Sequence, residues 1–576
     1  MSEEPESMCA LDVGSACVKA VLLDRVGDSH RFVARGAAPQ VAAVSPFKAL
    51  SAGLLAALGD LEDNSGRRLR GTDDLPITPE QLGWGVDATA GTVSTGCLEV
   101  ALASVADDAA GRCAEAALHS VPSHLALKIT GREMRAHRDA FERFAEELRN
   151  HPPHVVILVG GYDRKPERAV VAGADALATA AALIRPQERP LLVYAGPQAF
   201  RPQVAAIVGE RMAVHMVDNV APDERHANPG PLAAELDALC LTAVGRDTPG
   251  MGLVHRWCGS AMSTVSRALM RVYNYPGVDV LAAEIGADYT VLARPAQAKA
   301  LVQAGAGLGQ GARALLDESG PRAIARWLPE GLDEKGVADW AMNKSLRPWL
   351  VAANPAERAL ELAFARECLA KAWRSARQAW SDDGRPQPTA LPKADMLVIG
   401  GGLLARARSA ADAATLLLDG LQPYGVCRIA YDTAGLGPAL GSLVDVNPAA
   451  VRSVLEQDAI AVLGTVVAPA GQGKVGRGCL HVELAMPEGQ SLVLDLEAGG
   501  ITRVPLALGA KARAVIRPAR PFDVGAGPGQ TLEISLEGGS LGIIIDVRGR
   551  PLPDPESLPD RIATLQRWSA ALQVPG

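Results

Sequence analysis

Apolar residues fall into two rhythms along this chain. Through about residue 470, short continuous apolar runs ending in glycine alternate with alanine- and leucine-rich stretches of helical spacing. Val155 to Val159 leads into Gly160 and Gly161 and then a helical run from Val171 to Leu183. Leu191 to Tyr194 leads into Ala195 and Gly196, and Met396 to Ile399 into Gly400, Gly401 and Gly402, followed by a helical stretch to Leu418. Runs of this kind predict strands buried on both faces, which deliver ligand-binding loops at their C-terminal ends. After Pro469 the rhythm turns to alternation. Leu480–Leu484, Ser491–Leu496, Ala512–Ile516, Thr531–Leu536 and Leu541–Val547 are separated by Gly, Pro and Asp, which predicts a small, mostly antiparallel β domain. Ile562, Leu565, Trp568 and Leu572 recur at helical spacing and predict a terminal amphipathic helix.

The first apolar strand is broken in an informative way. Leu11-Asp12-Val13-Gly14-Ser15-Ala16-Cys17-Val18-Lys19 puts a carboxylate, a glycine turn, a hydroxyl and an ammonium within a few residues of one another. Such a turn can wrap a phosphate, because glycine lets the backbone approach closely while N–H groups point inward. Asp12 could then hold Mg²⁺ through oxygen or water, and Lys19 could face phosphate charge. An ordinary hairpin is the competing reading. Val278 to Val291 repeats the form, with Glu284 two positions before Gly286 and Thr290 four positions after it, so Asp12 and Glu284 could face one metal–phosphate from two related domains.

Composition narrows the class. At 576 residues the chain exceeds what one core can hold, and three or four domains are expected. Fifty-seven basic against 65 acidic residues argue against a dominant nucleic-acid footprint. No run of eighteen apolar residues and no basic-then-apolar leader occurs, so a cytoplasmic protein with no membrane association is expected. The nine cysteines are scattered without Cys-x-x-Cys, against a zinc knuckle, iron–sulfur site or disulfide framework. His151 and His154 sit beside prolines as domain-edge residues, and His255 with Cys258 has no second cluster to complete a metal site. Arg132, Arg135 and Arg138, interleaved with acids, read as a solvated helix face. No Gly-x-Ser-x-Gly turn supports a hydrolase triad, and neither the dinucleotide spacing nor the lysine P-loop is present.

Taken together, the motifs at Asp12, Glu284 and Gly400 resemble those of the MutL family of glutamate mutase accessory proteins, which is unrelated to the mismatch-repair protein of similar name. The resemblance spans most of residues 10–470 and leaves the β-rich tail outside. It implies an α/β protein with a duplicated actin/Hsp70-like ATPase fold, the superfamily that also contains sugar kinases, followed by the small β-rich domain. The implied division is a first actin-like domain over 8–245, a second region over 246–394, an adenosine-side segment over 395–470 and a β-rich C-terminal domain with its helix over 471–576. The first phosphate motif resembles Asp12-Val13-Gly14-Ser15 with Lys19, and the second resembles Glu284-Ile285-Gly286-Ala287-Asp288-Tyr289-Thr290. The adenosine motif resembles Gly400-Gly401-Gly402-Leu403, and Val159-Gly160-Gly161-Tyr162-Asp163 resembles an internal family segment.

By that resemblance ATP and Mg²⁺ are the cofactors. Asp12 and Glu284 are the metal residues, Gly14, Ser15, Lys19, Gly286, Thr290 and Gly400 to Gly402 bind nucleotide, and Asp163 positions water or metal, with a helix-start role competing. The expected function is an accessory or reactivation role for an adenosylcobalamin-dependent carbon-skeleton mutase, driven by weak ATP hydrolysis, with a homo-oligomer as a possible assembly. The alternative is a nucleotide-binding scaffold without turnover. Glu284 in place of Asp, Ala287 in place of a second glycine, and Ala16-Cys17-Val18 in place of a threonine-rich turn are the departures from the family pattern.

Overall fold

Three strands, Met8–Val13, Cys17–Val26 and Ser29–Pro39, form an antiparallel meander, because Gly14 and Gly27 let the chain reverse in tight turns. Ala88–Val93 joins the free edge of Met8–Val13 in parallel, and Met262–Thr264 joins Ala88–Val93 in the same sense. The second half repeats this wiring. Val280–Ile285, Tyr289–Arg294 and Lys299–Ala304 form the meander, while Met396–Gly401 and Gly425–Asp432 add in parallel. The identical strand order makes this a duplicated α/β fold. Both first strands are buried along their whole length, which is why each reads as a continuous apolar run broken only by one carboxylate. The structure is a computed structural model that describes residues 4–573 apart from 41–48, 97, 106–107, 138, 166–167, 329–333, 381–391 and 558–559. Arg138 and most of the Asp382–Lys393 break lie outside the described residues.

The helices Val265–Val272 and Gly437–Leu443, each following the fifth strand of its unit, pack together and join the halves. A Cβ on Gly441 would stand 2.3 Å from the Ala268 carbonyl oxygen, so glycine is what permits this approach. Arg31 in the first meander forks onto Asp458 at 3.0 Å, and Asp458 also accepts from the Phe32 N–H at 2.9 Å, fastening the other side.

Between the fourth and fifth strands of the first unit the chain builds a separate layer. Its five parallel strands run in the order Ser123–Thr130, Leu98–Ser104, Val155–Val159, Leu191–Tyr194, Val214–Met216, with helices on both faces. Two of the three glycine-ended runs seen in the sequence belong to this insert, and only Met396–Gly401 belongs to a duplicated unit. All three are buried on both faces, so their hydrophobic pattern is the same.

The expected domain borders shift accordingly. Residue 245 falls inside the helix Gly230–Asp247, ahead of the strand Met262–Thr264 that completes the first sheet. Residues 246–394 and 395–470 do not form separate regions, since Val280–Ile285 and Met396–Gly401 are neighbours in one sheet. The tail is continuous with that unit rather than an independent appendage. Gly542–Asp546 pairs in parallel with Ile460–Ala468 and antiparallel with Ile501–Val504, prolonging the second sheet to eight strands. Unpaired backbone at the edge of Ile460–Ala468 is thereby satisfied. The remaining tail strands, Gly478–Ala485, Ser491–Glu497, Lys511–Pro518 and Leu532–Glu537, form the antiparallel sheet that their alternation predicts. The terminal helix Arg561–Leu572 lays Trp568 and Leu572 inward, with Leu565 packed against the second unit's core and Ile562 exposed. Among the described residues no helix is long and apolar enough to cross a membrane.

Candidate functional site

The two hairpin turns open onto one cleft. In the first, the Gly14 N–H donates to the Cys17 carbonyl at 3.1 Å, and in the second the Gly286 N–H donates to that of Tyr289 at 2.9 Å. The cleft of about 460 Å³ is lined by Asp12, Gly14, Ser15 and Lys19 from the first unit and by Glu284, Gly286 and Gly402 from the second. Its size lies within the range of ordinary small-molecule sites, roughly 300–1,000 Å³. Trp349, Pro348, Leu403 and Pro438 supply apolar wall, so the charged groups gather at the hairpins.

Register fixes which side chains meet. Asp12 stands opposite Lys19 and beside Thr92, and Glu284 stands opposite Val291 and beside Gly400. Lys19 Nζ donates to Asp12 Oδ2 at 2.9 Å, while the Thr92 hydroxyl donates to Oδ1 at 3.0 Å, so both oxygens of Asp12 are occupied. The Glu284 carboxyl makes no hydrogen bond among the described residues although the residue is only 7% exposed. A Cβ on Gly400 would stand 2.2 Å from Glu284 Oε2. The glycine therefore makes room for the longer carboxylate.

Burial sets the protonation of the cluster. It pushes the Glu284 carboxyl up to about 8, with Lys19 opposing and the nearby carboxylates of Asp432 and Asp12 adding to the rise. Burial also raises Asp432, against the N–H groups of Gly437, Leu436 and Ala434 that stabilise its anion. Burial alone would depress the Lys19 ammonium, but Asp12 and Glu284 outweigh it and hold its pKa above the ordinary value. One ammonium thus faces three carboxyl groups. A divalent cation beside Glu284 would restore its charge, and the donor set of carboxylates with room for phosphate and water suits Mg²⁺. Among the described residues no cluster of three or more His, Cys, Asp or Glu is arranged to hold a metal ion.

The other expected site residues divide. Ser15 lies at the mouth, where its hydroxyl and the Gln310 amide meet at 3.5 Å and the amide donates to the Ser15 carbonyl at 3.2 Å. Gly400 and Gly401 end the strand beneath the cleft, and Gly401 takes a φ of +115°, a backbone that suits glycine. Thr290 is fully buried and its hydroxyl donates to the Ala306 carbonyl at 2.6 Å, so it braces the second meander and does not line the cleft. Asp163 lies in the insert, also away from the cleft lining, where its Oδ1 accepts from the Gln198 N–H at 3.0 Å and Asn219 Nδ2 at 3.2 Å. It organises the loops at the end of the insert's sheet.

Four residues in or next to the cleft carry no local sequence signal. Thr92 acquires its role only by pairing with Asp12, and Gln310 only by reaching Ser15 across the opening. Arg35 lines the cleft while donating to the Ala434 carbonyl at 2.6 Å. Arg406, just beyond the Gly400–Gly402 turn, lines the cleft and has no hydrogen-bonded or ion-paired partner for its guanidinium among the described residues. Aligning the two halves by register is the signal that would have found Thr92, whose counterpart is Gly400.

The MutL protein family matches residues 8–459, a span that contains both hairpins and the glycine turn. The chain belongs to the MutL family. This is the family of glutamate mutase accessory proteins that the motifs resemble. A comparison with curated proteins gives no match. Among solved structures, xylulose kinase from Bifidobacterium adolescentis is similar at 12% identity and a TM-score of 0.24, over 80% of this chain and 96% of that one. A glycerol dehydratase reactivase is similar at 11% identity and a TM-score of 0.27, over 76% of this chain and 99% of that one. At such scores neither likeness adds to what the strand order of this MutL-family protein shows.

Proposed function

We propose that this MutL-family protein is an accessory factor for an adenosylcobalamin-dependent carbon-skeleton mutase and that it binds Mg²⁺–ATP between its two hairpins. The observation that carries the nucleotide reading is the convergence of Asp12, Lys19, Glu284 and the Gly286 turn on one cleft from strands far apart in sequence. Family membership supports the accessory role. Bound Mg²⁺ would neutralise part of the phosphate charge.

Asp12 and Glu284 would hold that ion. Lys19 turns from Asp12 toward the phosphates, and Arg406 adds a second cation from the opposite lip. The N–H groups of the two hairpin turns point at phosphate oxygens. Trp349 and Leu403 take the base side. Hydrolysis would be slow, because Glu284 must ionise and Asp163, the carboxylate expected to position water, is not among the residues lining the cleft. The same observation favours the second reading, a scaffold that binds nucleotide without turnover.

Calorimetry with Mg²⁺–ATP tests the site. Affinity should fall in Asp12→Ala and in Lys19→Ala, and unchanged affinity in both removes the assignment. Phosphate release measured with and without a cobalamin mutase then separates the two readings, since release that depends on the mutase supports the accessory ATPase and binding without release supports the scaffold.

A further inference from the structure

A second groove lies against the second unit, beneath the terminal helix. It encloses about 320 Å³ between that helix, the helix Pro355–Ala379 and the segment Ala410–Leu421. Leu362, Ile501, Leu565, Trp568 and Leu572 make its walls largely apolar. Its floor is charged.

Asp419 Oδ1 accepts from Arg548 Nη1 at 2.7 Å, and Asp419 Oδ2 accepts from Arg366 Nε at 2.8 Å. Asp546 takes Arg548 Nε at 2.9 Å and Arg550 Nη2 at 2.6 Å. Arg548, Arg550 and Asp546 are all but sealed from solvent. Three guanidinium groups, from Arg366, Arg548 and Arg550, therefore face two carboxylates, Asp419 and Asp546. One positive charge is left over.

That surplus has an address. Asp419 and Asp546 bind Arg548 from both sides, and Arg550 spends its remaining donors on the Pro423 and Gly549 carbonyls at 3.0 Å. Arg366 uses only Nε, and its two Nη groups make no hydrogen bond among the described residues. Its side chain is 12% exposed and lines the groove, with the guanidinium carbon 5.3 Å from the ring centre of Trp327. A largely buried guanidinium with a free edge is matched by a planar anion, because the two Nη groups present parallel donors to two oxygens. The apolar walls require the rest of the ligand to be hydrocarbon.

We propose that this groove binds a small amphipathic carboxylate, its head on the free edge of Arg366 and its apolar body against Leu565, Trp568 and Leu572. The site is separate from the nucleotide cleft and does not depend on that reading. Because the terminal helix forms one wall, binding tightens the tail onto the second unit.

Titration calorimetry on the full chain, with octanoate as probe and octanamide as its uncharged counterpart, tests the proposal. Octanoate should bind about tenfold or more tightly than octanamide, as expected for a charge-assisted pair. Ser569→Trp, which blocks the mouth without touching the ion network, should abolish octanoate binding while leaving the melting temperature unchanged. Arg366→Gln should weaken octanoate to the level of octanamide. Equal affinity for the two probes, undiminished binding in Ser569→Trp, or no heat at millimolar octanoate would overturn the assignment. Should Arg366→Gln fail to fold, the probe pair and Ser569→Trp still decide.

Discussion

Val291 stands in the second hairpin where Lys19 stands in the first. The duplicated units thus share one ammonium between two carboxylate positions, and Lys19 raises the charge on Glu284 as well as pairing with Asp12. Removing that ammonium should cost both partners. Lys19→Met should destabilise the protein by about 3 kcal/mol in urea unfolding, the usual cost of leaving one member of a buried pair alone. Asp12→Asn in the same chain should recover part of the loss, since the orphaned charge is then gone.

Glu284 should give the stability profile a slope of its own. Its carboxyl is held up to about 8 in the folded protein, against an ordinary value of 4.5, so the folded state keeps a proton that the unfolded state releases. Stability from this group is therefore complete below the ordinary value and falls as pH rises toward 8. Each pKa unit corresponds to about 1.4 kcal/mol. Glu284→Gln should accordingly be more stable than the parent at pH 8, with the difference shrinking toward pH 5. Urea midpoints across that range measure it, and parallel curves for the two proteins would contradict it.

Gly400 and Glu284 should behave as one unit. A methyl group at residue 400 would meet Glu284 Oε2 at 2.2 Å, so Gly400→Ala must push the carboxylate into the cleft. Mg²⁺–ATP affinity should drop in Gly400→Ala. Adding Glu284→Ala relieves the crowding, and the pair should show a coupling of about 1 kcal/mol or more in a double-mutant cycle of stability.

The tail should not be separable. Deletion of residues 475–576 strips Ile460–Ala468 of its partner Gly542–Asp546 and removes Asp546 with Arg548 and Arg550. The truncated chain should aggregate on size-exclusion chromatography and lose nucleotide binding with it. Asp546→Ala, a milder lesion, should cost about 3–5 kcal/mol by leaving two buried guanidinium groups short of a counter-charge. A truncated protein that stays folded and free of aggregates would show that the sheet ends at Ile460–Ala468.

Much of the fold was legible because strand burial imprints a pattern. The tail strands and the terminal helix announced themselves through alternation and helical spacing, each tied to a single exposed or buried face. Asp12 and Glu284 stood out because each interrupts an apolar strand just before a glycine turn. What stayed hidden was assignment between sheets. Val155–Val159 and Met396–Gly401 carry the same local signature, yet one lies in the insert and the other beneath the cleft. Asp163 was drawn into the site for that reason, since adjacency to a glycine-ended strand says nothing about which sheet the strand joins, whereas Thr290 lies in the right hairpin but turns its hydroxyl to the Ala306 carbonyl. Arg406 and Thr92 were silent because pairing across the fold, not sequence spacing, gives them their place.

The insert is held at a neck made by Ala88–Val93 on the way out and Met262–Thr264 on the return. Thr92, which clasps Asp12, sits on the outgoing strand, and the Tyr289 hydroxyl from the opposite hairpin donates to the Gly96 carbonyl at 2.6 Å just beyond it. The base of the insert is therefore tied to both hairpins, through the strand that seats one carboxylate and the turn that follows the other.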